Sequence, residues 1–470
     1  MDAKRQAAVV GSGPNGLAAA IVLAQAALDV EVFEAQPQPG GGARTADITE
    51  PGFHHDLGSA VHPFAAASPF FQSLPLQQHG LEWINPPAAL AHPLDDGTAV
   101  MLERNLDDAV SALGADGPAW RKLMGPVVEH WDELIAEVFG PVPLLPRHPF
   151  LMARFGMRAI MPATTVVKMF PTERAKALFA GIAAHSFLSL DEAMSSAFGI
   201  LLGAAAHVVG WPIPRGGAQS ITSALCAVLA LHGGKIATSR RIENLAEFNG
   251  KIVMCDVTPR QLLKIAESHL SERFKRLLRA YRYGPGVFKV DYALNAPIPW
   301  KARECARAAT VHLGGNMEEV AASEAAVRHN QIAEKPFVLL SQPTLFDASR
   351  APAGKHIAWA YCHVPNGSEF DMLSRLEAQI ERFAPGFRDT VIARHVFTPA
   401  GLQRVNENLV GGDISGGVLD LRQFLWRPTS RLYGTTARNI YICSSSTPPG
   451  GGVHGMCGYH AAKLALSHLR

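Results

Sequence analysis

The sequence predicts an α/β fold in which a nucleotide-binding layer, assembled from separate stretches of chain, is joined to a second, α+β domain. Three observations predict this arrangement: a strand, glycine turn, helix and strand at the start of the chain, a glycine turn before a helix near residue 216, and a third glycine turn before the last helix. The chain has 470 residues and is 48% hydrophobic, which is enough to bury a large core. We therefore expect two intertwined domains.

The first element is a dinucleotide-binding fingerprint. Residues 7–10 predict a buried strand, residues 17–27 a helix of small residues, and residues 30–33 a second strand that ends at Glu34. Between the first strand and the helix stand Gly11, Ser12, Gly13, Pro14, Asn15 and Gly16. In such a turn the first glycine permits a tight bend, the second admits a pyrophosphate, and the third lets helix and strand pack closely, while the acidic residue accepts a ribose hydroxyl. This local pattern allows NAD and FAD equally.

Two later stretches are expected in the same layer. Residues 214–217 open a helix to Leu231, followed by strands near 235–242 and 251–255. At the end of the chain a strand at 439–443 leads through a turn at 447–452 into a helix at 453–469, and three consecutive glycines at 450–452 indicate close approach to the backbone. The predicted nucleotide-binding domain is thus 1–63, 214–258 and 437–470.

The second domain is predicted over 64–213 and 259–436, as helices on a mixed sheet with strands at 287–294, 337–340 and 357–363. It holds no second glycine fingerprint, which argues against a separate nicotinamide domain.

Composition excludes several function classes. The net charge is +2 with mixed signs along the chain, so we expect no nucleic-acid partner. The six cysteines form no CxxC pair and no metal-ligand spacing, which predicts neither a redox disulfide nor a metal site. The N-terminus lacks the pattern of a secretory signal, so a cytoplasmic protein with reduced cysteines is expected.

Two segments raise the question of membrane contact. The stretch 138–172, and chiefly 141–170, contains basic residues and no acidic ones; Arg147, Arg154, Arg158 and Lys168 stand among apolar residues that include Leu144, Phe150 and Met157. This pattern suits a peripheral membrane contact, and the alternative is a helix with a core-facing apolar side and solvated arginines. Residues 193–211 carry no charge but are only mildly apolar, so we expect a buried helix lining a cavity.

The motifs together resemble the phytoene-dehydrogenase-like branch of the FAD-dependent amine-oxidase superfamily. The resemblance is spread over 11–16 with Glu34, 40–45, 55–63, 214–217, 408–417 and 441–455. It implies FAD as cofactor and a discontinuous, Rossmann-like FAD-binding domain beside an α+β substrate domain. True phytoene desaturases tend to carry an arginine directly after the first two glycines of the second motif, whereas this chain has Gly42 there and Arg44 later. The resemblance therefore indicates a bacterial branch other than the true desaturases.

The resemblance also implies a set of cofactor-binding residues. Glycines of 40–42 and Arg44 would lie over the pyrophosphate, Gly58 and Ser59 beside the flavin, Ile242 at the adenine, and Val453 under the isoalloxazine ring. The full predicted set is Gly11, Ser12, Gly13, Pro14, Asn15, Gly16, Glu34, Ala35, Gly41, Gly42, Arg44, Gly58, Ser59, Ile242, Gly452 and Val453. Glycine amides and a guanidinium both favour phosphate oxygens, and the alternative for Arg44 is a surface ion pair.

The predicted activity is hydride transfer from a small lipophilic substrate to flavin N5, with oxygen or a quinone as acceptor. Two alternatives stay open: a flavin-dependent isomerase or saturase of an apolar polyene, and a lipid-binding escort protein on the same fold, although the escort proteins lack a complete FAD site. Candidate catalytic residues are His62, His454 and Asp413, which stand in motifs expected near the flavin. Their structural alternatives are a turn cap, a backbone hydrogen bond at a helix start, and an Asx turn, respectively.

Overall fold

A computed structural model describes residues 5–141 and 145–469. Its strands are β1 (Gln6–Val10), β2 (Asp29–Phe33), β3 (Thr45–Asp47), β4 (His54–Asp56), β5 (Trp83–Ile84), β6 (Ala88–Pro93), β7 (Ala99–Glu103), β8 (Ile213–Pro214), β9 (Lys235–Ala237), β10 (Ile252–Cys255), β11 (Gly286–Leu294), β12 (Ala308–Leu313), β13 (Val338–Ser341), β14 (His356–Val364), β15 (Val391–Phe397) and β16 (Ile440–Ile442).

The helices are α1 (Pro14–Gln25), α2 (Pro63–Ala66), α3 (Pro69–Gln72), α4 (Leu106–Ala112), α5 (Gly117–Glu129), α6 (Trp131–Val138), α7 (Pro149–Ala159), α8 (Ala163–Val166), α9 (Glu173–Ala183), α10 (Ser195–Val208), α11 (Gln219–Leu231), α12 (Pro259–Ile265), α13 (Glu272–Arg279), α14 (Met317–Arg328), α15 (Leu373–Phe383), α16 (Phe387–Thr390), α17 (Pro399–Val405), α18 (Leu421–Leu425) and α19 (Met456–Ser467).

The first sheet has five parallel strands in the order β16, β10, β1, β2, β9. These strands come from the start of the chain, from 235–255 and from the C-terminal stretch, as the sequence predicts. Helices α1 and α19 pack together on this sheet so closely that a Cβ at Gly458 would lie 1.8 Å from the carbonyl oxygen of Asn15. The Rossmann-like layer is therefore confirmed, while the domain boundaries stay a prediction.

The second sheet has seven strands in the order β15, β11, β14, β13, β12, β6, β7. It is mixed, because β12 pairs with β6 in parallel whereas the other pairs are antiparallel. The three strands expected in this domain are present as β11, β13 and β14. One face of the sheet packs in a separate apolar core with α15, and the other face looks toward the first domain.

Several element boundaries differ from the sequence prediction for identifiable reasons. Helix α1 begins three residues early, at Pro14, because proline at the first helical position needs no N–H partner. It ends before Ala27, which has a left-handed φ of 64°. Helix α19 begins at Met456 instead of residue 453, since Gly455 before it adopts a left-handed φ of 70°.

The uncharged segment 193–211 forms the helix α10, most of which is buried, and Phe198 and Leu202 on this helix line a cavity. The prediction of a buried, cavity-lining helix is therefore confirmed. Over residues 5–141 and 145–469, no helix combines the length and the hydropathy that crossing a bilayer requires.

The basic and apolar segment 141–170 contains α7, and its residues 142–144, including Leu144, lie outside the described residues. Its apolar side chains divide into two groups. Leu151 and Phe155 are half-buried, whereas Leu145, Phe150 and Met157 are 88%, 91% and 66% exposed. Thus only part of the apolar surface of α7 faces the core.

Candidate functional site

A cavity of about 460 Å³ lies between the two sheets and joins the predicted motifs. Every residue of the predicted cofactor-binding set lines it except Gly16. The rest of the wall comes from both domains, and the second domain contributes residues of α10, of the facing strands of the second sheet and of the segment 402–419. The structure thus brings together motifs from the two ends of the chain, and their contact with a cofactor stays a prediction.

The glycine turn before α1 is shaped by close contacts within the protein. A Cβ at Gly16 would lie 2.1 Å from the carbonyl oxygen of Gly11, so Gly16 serves helix–strand packing and has no place in the cavity wall. The carboxylate of Glu34 accepts hydrogen bonds from the Ser12 amide (2.9 Å), the Ser12 hydroxyl (2.6 Å) and the Gln36 amide (2.8 Å). These bonds hold Glu34 at the cavity wall, where a ribose is predicted.

The second motif supplies a buried cation. Arg44 donates to the carbonyl oxygens of Gly41 (2.9 Å) and Val405 (3.1 Å), and within the part of the chain that the structure describes it makes no ion pair. Burial lowers the pKa of its guanidinium. Burial of an arginine without a carboxylate partner costs folding free energy unless a bound anion balances its charge. The alternative of a surface ion pair is therefore wrong.

The space above this motif also fits a dinucleotide. A Cβ at Gly42 would meet no atom within 4 Å, whereas a Cβ at Gly58 would lie 2.2 Å from the carbonyl oxygen of Gly42. Gly58 is thus needed for packing, and Gly42 leaves open space beside the N-terminus of α1. Amides at a helix N-terminus and a guanidinium are the groups that a pyrophosphate requires. The site therefore fits the phosphates of a dinucleotide.

Asp256, at the end of β10, is a carboxyl that none of the sequence motifs includes. Its Oδ2 accepts a 3.0 Å hydrogen bond from the Gly16 amide, directly at the glycine turn. Burial raises the pKa of Asp256 to about 7. A carboxyl that is partly protonated near neutral pH repels a phosphate less than an ionised one would.

The terminal glycine turn reaches the cavity through Gly451, Gly452 and Val453. Part of its glycine content has a reason within the protein, because a Cβ at Gly451 would lie 2.6 Å from the carbonyl oxygen of Ser415. The close approach predicted at 450–452 is therefore in part to another backbone segment.

Of the three candidate catalytic residues, only His62 lines the cavity. It is buried, its side chain does not cap α2, and its Nε2 has no hydrogen-bond partner among the described residues. Burial lowers its pKa to about 4, so the ring is neutral at neutral pH. A neutral imidazole with a free nitrogen is able to accept a proton.

The other two candidates do not line the cavity, and the structure supports their structural alternatives. The Nδ1 of His454 accepts a 3.0 Å hydrogen bond from the Met456 amide at the start of α19. Asp413 accepts from the amide (2.7 Å) and hydroxyl (2.6 Å) of Ser415 in an Asx turn, and from the Gly284 amide (2.8 Å). Both side chains hold loops, which favours the structural alternatives, and the catalytic roles of His454 and Asp413 stay a prediction.

The second domain contributes cavity residues that sequence reasoning missed. Lys289 and Tyr361 project from neighbouring strands, and Lys289 is paired with buried Asp291 at 2.5 Å. His185, which precedes α10, lies 3.0 Å from His312 through their Nε2 atoms. Period-two alternation along 287–294 and 357–363 marks one face of each strand, but only tertiary packing shows that this face meets the cavity.

Known proteins with similar sequences contain the same kind of nucleotide-binding domain. Residues 9–74 match the family described as a NAD(P)-binding Rossmann-like domain. The chain is 25% identical to mouse pyridine nucleotide-disulfide oxidoreductase domain-containing protein 2, over 99% of this chain and 94% of that protein. It is 23% identical to a subunit of limonene dehydrogenase from Castellaniella defragrans, over 98% and 94% of the two chains.

A phytoene desaturase (lycopene-forming) of Pseudescherichia vulneris is 21% identical over 54% of this chain and 55% of that protein. This similarity, together with the motifs, indicates an FAD-dependent flavoprotein that is similar in sequence to limonene dehydrogenase and to phytoene desaturases. The low identity and half-length match to the desaturase place this flavoprotein outside the true phytoene desaturases, as the sequence predicts.

Solved structures show the same fold. An oxidoreductase from Methanosarcina mazei superposes with a TM-score of 0.65 at 16% identity, covering 98% of this flavoprotein and 100% of that chain. Cyclohexylamine oxidase from Brevibacterium oxydans superposes with a TM-score of 0.59 at 14% identity, over 99% and 100% of the two chains. The solved structures therefore show that the fold is shared with oxidoreductases, and the glycine turns and Arg44 of this flavoprotein form the region that fits the FAD cofactor.

Proposed function

We propose that this flavoprotein oxidises a lipophilic substrate by hydride transfer, with a quinone or oxygen as the final acceptor. The observation that carries the proposal is the part of the cavity beyond the predicted cofactor-binding residues. That part, here called the chamber, is walled by Phe187, Phe198, Leu202, Trp211, Leu339 and Tyr361. Its apolar side chains suit an apolar molecule and exclude water from the reacting carbon.

FAD, when bound, supplies the hydride acceptor. The protein contributes orientation, a dry environment and a group to take up a proton. His62 is the candidate for the last task because it lines the cavity and its Nε2 has no partner among the described residues. Burial lowers the pKa of the ring to about 4, so it is a weak base in the ligand-free protein.

The experiment is anaerobic mixing of the FAD-loaded protein with a panel of lipophilic alcohols, ketones and alkenes, and with putrescine as a polar amine. We expect bleaching of the visible flavin absorption by a lipophilic compound and none by putrescine. His62→Gln should bleach about 100-fold more slowly at unchanged FAD content, the lower end of the effect of a general base. Bleaching by putrescine alone would contradict the lipophilic substrate.

The same experiment distinguishes substrate oxidation from the alternative reaction of an isomerase or saturase. An isomerase or saturase would leave oxidised flavin unbleached and would convert an apolar polyene only after the flavin had been reduced. Detection of such a product with pre-reduced protein, without bleaching in the oxidised state, would favour that alternative.

We propose in addition that α7 makes a peripheral contact with an anionic membrane surface. Phe150 and Met157 stand seven residues apart on α7, and Arg154 lies between them on the same exposed side. Exposed apolar groups beside cations are the combination that anionic bilayers bind. Helix α10 packs against α7 and carries Phe198 and Leu202 in the chamber, which favours entry of a lipophilic substrate from this side.

A further inference from the structure

Three histidines form a chain that leads from the chamber wall into the second domain. His185, directly after α9, is half-buried and lines the cavity beside Trp211. Its Nε2 lies 3.0 Å from the Nε2 of His312 on β12. His312 and His92 are fully buried on the paired strands β12 and β6, where Val311 stands opposite Ala91, the residues directly before them. The chain thus has one ring at the chamber and two enclosed rings behind it.

The inner end of the chain fixes the tautomer of His92. The Nε2 of this ring lies 2.7 Å from the carbonyl oxygen of Gly315. Because a carbonyl oxygen only accepts hydrogen bonds, Nε2 carries the hydrogen. Burial lowers the pKa of His92 to about 4, so the ring is neutral at neutral pH and carries one hydrogen only. The Nδ1 of His92 is therefore bare.

Helix α9 then determines the tautomer of His312, because Gly181 leaves space for two ring nitrogens. A Cβ at Gly181 would lie 2.8 Å from the Nδ1 of His312 and 3.2 Å from the Nδ1 of His92, so both nitrogens face the same point of the helix. Neither has a hydrogen-bond partner among the described residues. Burial keeps His312 neutral by lowering its pKa. In a low-dielectric interior a hydrogen on the His312 Nδ1 is attracted to the bare nitrogen of His92, whereas two bare nitrogens repel each other. The favoured tautomer of His312 therefore has a bare Nε2.

The tautomer of His312 decides which nitrogen His185 presents to the chamber. Since the Nε2 of His312 is bare, the 3.0 Å contact requires the Nε2 of His185 to donate. Burial, with a smaller effect of the nearby His363, lowers the pKa of His185 to about 3, so the ring is neutral and its Nδ1 is bare. The Nδ1 atoms of His92 and His312 are enclosed, whereas the Nδ1 of His185 is accessible from the cavity. The chamber thus meets one neutral hydrogen-bond acceptor at His185.

From this ordered chain we infer that His185 is a specificity-determining residue, which accepts a hydrogen bond from a hydroxyl group on an otherwise apolar ligand. One neutral acceptor matches the single O–H of an alcohol, and a ketone or alkene has no hydrogen to donate. An ammonium group carries a charge and three N–H donors, which one neutral acceptor does not satisfy in a buried place. The inference rests on the proposed function in placing the ligand in the chamber as substrate, and it adds that the substrate carries a hydroxyl group.

The test uses three probes of one shape with the FAD-loaded protein: 4-tert-butyl-1-methylcyclohexanol and its two analogues in which fluorine or an amino group replaces the hydroxyl. The substituted carbon of each probe bears no hydrogen and so has no hydride to transfer. Titration calorimetry measures each Kd. We expect the alcohol to bind about 3- to 10-fold more tightly than the fluoro analogue, the equivalent of one neutral hydrogen bond. The amine, which is an ammonium ion at neutral pH, should bind more weakly than the alcohol.

Variants at His185 separate the acceptor from the shape of the ring. His185→Phe keeps a ring without an acceptor and should reduce the preference for the alcohol by about 3- to 10-fold, with the Kd of the fluoro analogue unchanged. His185→Asn retains an acceptor oxygen close to the position of Nδ1 and should restore part of the preference. Tyr361→Phe is the matched control, because Tyr361 also lines the cavity and its hydroxyl is able to accept. This variant should keep the preference.

The tautomer of His185 has its own measurement, which needs neither a ligand nor a folded variant of altered affinity. Nitrogen-15 NMR of the histidine-labelled wild type distinguishes a bare ring nitrogen from one that carries hydrogen. The signals of His185 are those absent from the spectrum of His185→Asn. We expect a bare Nδ1 and a hydrogen on Nε2. The opposite tautomer, or a doubly protonated ring at neutral pH, would overturn the inference.

Failure of the alcohol to bind more tightly than the fluoro analogue would also overturn it, as would a preference that survives His185→Phe. Tighter binding of the amine than of the alcohol would overturn the assignment to a hydroxyl group. Because these Kd values do not depend on turnover, a lack of flavin bleaching by every lipophilic compound, with the alcohol preference intact, would count against the proposed chemistry and leave the role of His185 standing.

Discussion

At the scale of single residues, the site is defined by buried polar groups whose partners are incomplete. Arg44 has no carboxylate partner among the described residues, His62 has a free Nε2, and Asp256 is a buried carboxyl at the N-terminus of α1. Each would be costly in a purely structural role, because an unpaired polar or charged group in the interior loses its hydration. Their concentration along one cavity therefore indicates ligand binding.

Asp256 makes the stability of the protein depend on pH. Its pKa, ordinarily 3.8, is raised to about 7 by burial. Between these values the folded state binds more protons than the unfolded state, so stability is lost as pH rises through about 7. Asp256→Asn keeps an acceptor for the Gly16 amide and removes the titration. We expect the Tm of the variant to fall less than that of the wild type between about pH 5 and about pH 8.

The measurement is a thermal melt at each pH, with Asp29→Asn at an exposed position as the control. Parallel pH dependences for the wild type and Asp256→Asn would contradict the assignment.

Glycine substitutions separate packing from cofactor binding. Gly16→Ala places a Cβ 2.1 Å from the Gly11 oxygen, so we expect a loss of about 1–3 kcal/mol of stability. Gly42→Ala meets open space and should fold normally, while its methyl group narrows the site and weakens FAD binding by about tenfold, or about 1.4 kcal/mol. Unfolding and FAD titration measure the two effects.

Gly156→Ala, on α7 with no neighbour within 4 Å, is the control that should change neither property adversely. Normal FAD affinity in Gly42→Ala would place the pyrophosphate elsewhere.

At the scale of elements, helices α7 and α10 pack against each other but face different environments. Helix α10 is buried and turns two apolar side chains into the chamber, whereas α7 lies outside it with an exposed apolar and basic side. Of the segment 141–170, which contains α7, residues 142–144 lie outside the described residues. If α7 makes the proposed membrane contact, this pair of helices would connect the membrane surface with the chamber.

Removal of the exposed apolar groups tests that path. We expect Phe150→Ser with Met157→Ser to reduce co-sedimentation with anionic liposomes about tenfold or more, since burying one large apolar side chain contributes about 1.5–3 kcal/mol. Wild-type binding should also weaken in high salt. Leu277→Ser, at an exposed leucine on α13, is the matched control. No liposome binding by the wild type would remove the membrane proposal.

At the scale of the whole molecule, a buried ion pair ties the β3–β4 hairpin to the connection between β13 and β14. Arg350, between β13 and β14, donates to Asp56 at 2.8 Å and to the carbonyl oxygen of His54 at 2.7 Å. Asp56 also accepts from Thr45 and from the Ala218 amide at the start of α11. One carboxylate therefore joins the β13–β14 connection, the β3–β4 hairpin and the start of α11.

We expect Arg350→Met to lower the free energy of unfolding by about 3–5 kcal/mol, because it leaves the Asp56 carboxylate buried and unpaired. Adding Asp56→Asn should restore part of the loss. Arg215→Met is the control, since Arg215 pairs with Glu82 at the exposed surface, where such pairs contribute about 1 kcal/mol or less. Denaturant unfolding of the four proteins makes the comparison, and similar losses for Arg350→Met and Arg215→Met would contradict it.

Much of the cofactor region was predictable because it depends on local rules. A glycine at position 16 and a strand at 7–10 reflect backbone sterics and period-two burial, which act over a few residues. The parallel sheet follows from strands that alternate with helices. The strands β6 and β7 were missed, since β6 is apolar at every position but one and short apolar runs do not distinguish strand from helix.

The sequence by itself determined the dinucleotide fold, because the glycine turn and its flanking strands depend on local geometry. That turn allows NAD and FAD equally, and FAD followed from a resemblance that is spread over the whole chain. Only the tertiary structure decided that His454 and Asp413 hold loops, that Asp256 reaches the glycine turn, and that Lys289 and Tyr361 line the cavity from paired strands. These relations depend on strand register and on packing between segments hundreds of residues apart, and long-range pairing of this kind leaves no periodic signal in the chain.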